Sequence, residues 1–145
     1  MSKLSFFFEK IEPVKIQKEA VQNAIDFLIE NEKKQPGEIS VIFCSDEYLL
    51  KINEQYLNHN YYTDIVTFDY VENSVISGDL FISLDRIKEN SAQFNVAFKE
   101  ELYRVILHGV LHLVGYKDKT ATEKKLMRGK EDFYLKKAGF KKEER

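Results

Sequence analysis

Between Leu102 and Val114 the chain runs through Leu102, Val105, Ile106, Val110, Leu111, Leu113 and Val114. A helix with this pattern has no broad polar face, so it has to be buried on nearly every side and the rest of the chain has to cover it. Two of the three histidines, His108 and His112, lie in this run four residues apart. Residues i and i+4 stand on one helix face, one turn apart, so both imidazoles can reach the same point. A polar ring in apolar surroundings needs a partner. One partner is a metal ion; the alternative is a pair of core histidines bonded to backbone carbonyls. Gly115, three residues after His112, suits the left-handed conformation that ends a helix and turns the chain back. Asp118, six after His112, is then placed to return to the histidines as a third ligand.

These offsets match the zincin pattern H-E-x-x-H-x-x-G-x-x-H, in which the turn at glycine brings the third ligand round. Gly109 stands where that pattern carries its general-base Glu, which argues against peptidase chemistry of that type. Asp118 stands where it carries the third His, and a carboxylate oxygen is an acceptable zinc ligand. Two neutral imidazoles and one carboxylate would leave Zn²⁺ with a net charge of about +1. Imidazole and carboxylate also suit iron, manganese or nickel.

The block His108-Gly-x-Leu-His112-Leu-x-Gly115-Tyr116 resembles the signature of the YbeY family of rRNA maturation factors, single-strand endoribonucleases with a zinc ion. Two further stretches agree. Asn53 through Asp64, followed by Ile65, Val66, Thr67 and Phe68, is similar to the family segment N-x-x-Y-R-x-x-x-x-P-T-D-V-L-S-F. Gly78 through Ser83 is similar to its G-D-I-x-I-S strand. The three blocks keep the family order over about the C-terminal two thirds of the chain. The resemblance implies one zinc ion on His108, His112 and Asp118, and single-stranded RNA as substrate, from rRNA or a ribosomal subunit, with no DNA expected. There are three departures: Asp118 replaces the usual third histidine, Leu57 stands at the family arginine, and Tyr62 at its proline. An arginine at that position would hold phosphate or offset developing charge, which Leu57 does not do. His59 is a candidate general acid or base in its place, or else a solvated loop histidine. Asp64, with Thr63, is a candidate cleft carboxylate or a cap for the next strand.

Two rival functions come from other classes: a zincin-like metallopeptidase, and a non-catalytic ribosome-assembly factor with structural zinc. A site with an open fourth position indicates catalysis, and a fourth protein ligand indicates structure.

At 145 residues, 43% of them hydrophobic and 32% charged, the chain is expected to form one globular domain over residues 1–145. No stretch approaches the ~18 to 20 apolar residues of a membrane span, and the first residues are charged too soon for a signal peptide. The single cysteine, Cys44, permits no internal disulfide, so a cytoplasmic setting is expected. Cys44 ends an apolar run and reads as buried and inert, with a ligand or nucleophile role as the alternative. The net charge of −2 hides an asymmetry: residues 116–145 hold 11 Lys and Arg against 6 Asp and Glu. Lys117, Lys119, Lys124, Lys125 and Arg128 follow the proposed ligands as a patch for RNA phosphates, or as a solvated helix face.

Period-2 and period-3.6 patterns predict strands at Leu4–Phe8, Ile39–Cys44, Ile65–Tyr70 and Asp79–Ser83. Helices are predicted over Val14–Glu30, from Ser45 to about Leu57, from Ser83 through Gln93, through the histidines, and from Thr120 to about Ala138. Pro36-Gly37 reads as a turn. The order gives an α+β domain with a four-stranded mixed sheet and helices packed on it. Tyr56, Tyr61 and Tyr62 are candidates to stack on bases, or to pack on the core edge. Asp79 is a cleft carboxylate or a turn residue.

Overall fold

The structure is a computed structural model and describes residues 1–141. Nine elements follow one another: β1 (Lys3–Glu9), α1 (Lys18–Asn31), β2 (Gln35–Cys44), α2 (Asp46–Leu57), β3 (Ile65–Asp69), β4 (Val75–Ser83), α3 (Leu84–Phe94), α4 (Phe98–Val114) and α5 (Ala121–Lys137). The four strands form one mixed sheet in the order β1-β2-β4-β3. β1 and β2 pair in parallel, as do β2 and β4, whereas β3 and β4 are antiparallel. Parallel neighbours need long crossovers, which α1 provides between β1 and β2, and α2 with β3 between β2 and β4. The expected α+β class and four-stranded mixed sheet are what is found.

β2 sits inside the sheet and is covered on both faces, so Val41, Ile42, Phe43 and Cys44 are buried in succession rather than alternately. On one face α1, α3, α4 and α5 enclose the main core; on the other, Leu49 of α2 packs with Cys44 and Val66. α4 is the central helix of the large core, with Leu102, Ile106, Leu107, Val110 and Leu111 almost without exposed surface. Burying each such side chain contributes about 1.5–3 kcal/mol, so truncating one to alanine costs several. At Gly109 α4 lies directly on the sheet: a Cβ would meet Ile65 Cδ1 at 2.8 Å and Leu80 Cδ2 at 2.9 Å. The position that carries Glu in the peptidase pattern is closed here by contact with β3 and β4.

The helix starts follow the sequence closely. The hydroxyls of Ser45, Ser83 and Thr120 accept from the backbone N–H of Tyr48, Arg86 and Glu123, and Glu123 completes a capping box. Three expectations need correction. α1 begins at Lys18, not Val14; Val14 and Ile16 instead pack on the core from the preceding extended segment. Pro36 and Gly37 lie inside β2, whose pairing with β4 shifts register between Pro36 and Ile39, a β-irregularity of the kind that tolerates a residue without N–H. β4 starts at Val75, ahead of Asp79, directly after the turn at Asn73 and Ser74, both at positive φ as a tight hairpin requires.

Candidate active site

α4 ends as its sequence predicts. Gly115 takes a φ of 123°, and the N–H groups of Gly115 and Tyr116 fold back on the carbonyl of Leu111. The turn carries Asp118 round to the histidines. Asp118 Oδ2 lies 3.2 Å from His108 Nε2 and 3.3 Å from His112 Nε2. The two rings meet edge to face at 4.6 Å.

The opposite nitrogen of each ring is occupied. His108 Nδ1 lies 2.7 Å from Glu131 Oε2, and His112 Nδ1 lies 2.9 Å from the Tyr116 carbonyl. A carbonyl and a carboxylate only accept, so both Nδ1 atoms carry the proton. In the neutral rings the Nε2 lone pairs therefore face a carboxylate oxygen with no hydrogen between them. Such a donor set fits a cation, and these three residues form the one group able to hold a metal ion among the described residues.

Support comes from three elements. Glu131, on the buried face of α5, also accepts from Arg104 Nη1 at 2.9 Å, and Arg104 Nη2 donates to Asp132 at 2.6 Å. Arg104 and Glu131 are nearly inaccessible. Neither was singled out from sequence, although each is a charge placed on an otherwise apolar helix stripe, Arg104 one turn before His108 and Glu131 between Met127 and Tyr134. On the other side the Tyr116 hydroxyl donates to Glu32 at 2.5 Å, with Tyr134 and Lys130 also on Glu32. Burial works against charge on His108, but the bond to Glu131 and the charges of Glu131, Asp118 and Asp64 raise its pKa above the ordinary value.

The three donors open into a cleft of about 490 Å³, which Leu57, His59, Tyr61, Thr63, Asp64 and Lys119 also line. All five candidate residues, His59, Asp64, His108, His112 and Asp118, thus come together. Burial pushes the Asp64 carboxyl above the usual range, against the opposing effects of His108 and of the backbone N–H groups of Asp64 and Ile65. His59 is exposed at the rim, its ring stacked on Tyr61 at 5.1 Å.

Other candidates fall elsewhere. Tyr56, Tyr61 and Tyr62 are all exposed, and of the three Tyr56 also packs edge to face on Phe68 at the margin of the smaller core, at 5.6 Å. Asp79 is neither a turn residue nor part of the cleft; it lies within β4, opposite Ser40 and Phe68. The basic patch divides: Lys119 reaches the cleft and Arg128 a neighbouring cavity, while Lys125 lies on another face of α5. Cys44 is fully buried, and burial together with Asp46, Asp85 and Glu9 pushes its thiol up to about 12. That excludes a thiolate at neutral pH.

Two imidazoles of one helix and a carboxylate from the turn after it, open to a cleft beside a mixed sheet, define the class: a metal-dependent hydrolase of α+β fold. The family model described as Endoribonuclease YbeY matches residues 7–139, and the chain belongs to that family. Relatives named Endoribonuclease YbeY include one from Parabacteroides distasonis, 48% identical over 129 residues that cover 89% of this chain and 91% of that one. Another, from Flavobacterium johnsoniae, is 52% identical over 79% of this chain and 82% of its own. The fold is also that of a Thermotoga maritima protein solved in solution, at a TM-score of 0.66 and 24% identity over 92% of this chain and 88% of that one.

Proposed function

We propose that this endoribonuclease-family chain cuts single-stranded RNA during rRNA maturation, in the cytoplasm, with one zinc ion held by His108, His112 and Asp118. The observation that carries the reading is the convergence of both Nε2 atoms on Asp118 Oδ2, at 3.2 and 3.3 Å, while both Nδ1 atoms are bonded elsewhere. When bound, zinc supplies positive charge that polarises a phosphoryl oxygen or lowers the pKa of water.

The chain's own residues account for the remaining steps. Asp64, half-buried in the cleft with His108, accepts the proton of the attacking hydroxyl at its carboxylate. His59 at the rim donates to the departing oxygen, and Tyr61, stacked on it, extends an aromatic surface toward unpaired bases. Lys119 at the cleft mouth offsets phosphate charge. The open cleft favours catalysis over a structural metal, since no fourth protein ligand closes the group among the described residues. Among those residues, no helix is long and apolar enough to cross a membrane.

The test is cleavage of a single-stranded RNA by wild type and His108→Ala, each with and without chelator. Cleavage only by the metal-replete wild type is expected. Equal cleavage in all four arms would overturn the assignment.

A further inference from the structure

A second cavity, of about 300 Å³, adjoins the cleft and shares with it only Asp64, His108 and Asp118. Its remaining wall comes from α3, α4 and α5: Asn90, Phe94, Glu101, Arg104, Val105, Arg128 and Glu131. Glu101 stands two turns before His108 on the same helix face. It is only 5% exposed, and its carboxylate has no hydrogen bond or ion pair among the described residues. Its oxygens are not among the buried atoms cut off from any partner, so within an otherwise buried residue they present acceptors to whatever enters the cavity. Asp64, Glu101 and Glu131 do not converge on a second ion, because the one metal-capable group among the described residues is the site already named. The ligand is therefore a molecule with a hydroxyl or amino donor.

The rest of the wall narrows its chemistry. Phe94, the last residue of α3, exposes its ring, an apolar face on which a planar base can stack. Arg128 is 60% exposed and touches only Glu131, at 3.8 Å, while Arg104 already bonds that carboxylate. Arg128 thus keeps free donors for a phosphate. The volume is at the lower end for small-ligand sites and suits one nucleotide rather than several.

We propose that this cavity is a second nucleotide subsite, occupied by the residue of the RNA strand next to the one in the cleft. Glu101 accepts from the ribose 2′-hydroxyl, Phe94 stacks on the base and Arg128 holds the adjoining phosphate. The assignment rests on the RNA reading above and extends it. It makes Glu101 the residue that distinguishes RNA from DNA at that position, since the 2′-hydroxyl is the difference between them. It also supplies an arginine to a site in which Leu57 occupies the family's arginine position.

The test uses the metal-loaded full chain and a single-stranded ten-nucleotide RNA, with deoxyribose substituted one position at a time around the cut. Phe94→Ala and Arg128→Ala are expected to raise KM about tenfold with kcat nearly unchanged. For wild type one deoxy position raises KM, and in Glu101→Met, which has a similar length but no oxygen to accept from the 2′-hydroxyl, the same substitution has no further effect. Wild-type cleavage with KM unchanged in Phe94→Ala and Arg128→Ala overturns the subsite and leaves the RNA reading standing; no cleavage by wild type overturns both. Because Phe94 and Arg128 are exposed, their variants keep the test valid even if Glu101→Met fails to fold.

Discussion

Glu131→Gln separates the metal site from the fold that supports it. Glu131 bonds His108 Nδ1 at 2.7 Å and Arg104 at 2.9 Å, with only 7% of its side chain exposed. The amide keeps the volume but removes the charge that favours a proton on Nδ1 and makes Nε2 a better donor. Loss of such a partner typically weakens metal binding 10- to 100-fold, or about 1.4 to 2.8 kcal/mol. Asp132→Asn is the matched control, because Asp132 also bonds Arg104 but does not touch His108. Competition with a chromophoric chelator should give weaker zinc binding in Glu131→Gln and near wild-type binding in Asp132→Asn. Thermal unfolding should show both variants destabilised without metal. Added zinc should raise the melting temperature less in Glu131→Gln than in Asp132→Asn, because ligand stabilisation follows the dissociation constant. Equal zinc affinity in wild type and Glu131→Gln would refute the supporting role.

Gly109→Ala places a methyl against Ile65 and Leu80 at under 3 Å and is expected to cost about 1 to 3 kcal/mol in urea unfolding, with both histidines still in place. A variant as stable as wild type would show that the contact relaxes freely. Acid stability has a stated direction. At Asp26 burial acts to raise the pKa, but bonds from Ser2 and Gln22 hold the carboxyl below its ordinary value. A depressed native pKa contributes stability that is present above the unfolded value and is lost as pH falls through the native one. Asp26→Asn should therefore reduce stability at neutral pH and flatten its fall below about pH 4. An unchanged acid profile would remove Asp26 from that account.

Features governed by neighbours in the chain were legible before any coordinates. Ser45, Ser83 and Thr120 cap helices through residues three positions on, and His108, His112 and Asp118 are joined by one helix turn and one glycine turn. Features set by distant partners were not. Pro36-Gly37 has a turn's composition, but Gln35 and Pro36 pair with Val75 and Ile76, and the ladder outweighs the local signal. Glu131 and Arg104 each look like an isolated charge until α4 and α5 lie side by side. The basic patch was a count along the sequence, and a helix spreads such a count over several faces. The tyrosines of the loop before β3 remain exposed, with their hydroxyls on the polar partners His59 and Glu47 rather than in a core.

The two anchors of the metal site, Glu131 on one imidazole and Glu32 on the turn that returns Asp118, have a consequence for synthesis. Glu32 emerges well before Glu131, yet both must be in place before the donors are held. A nascent chain that has emerged only to Val114 already contains both histidines but lacks Asp118, Tyr116 and Glu131. The ion site is thus assembled only as α5 docks against α4, and the two histidines of a shorter chain are not yet held for a metal.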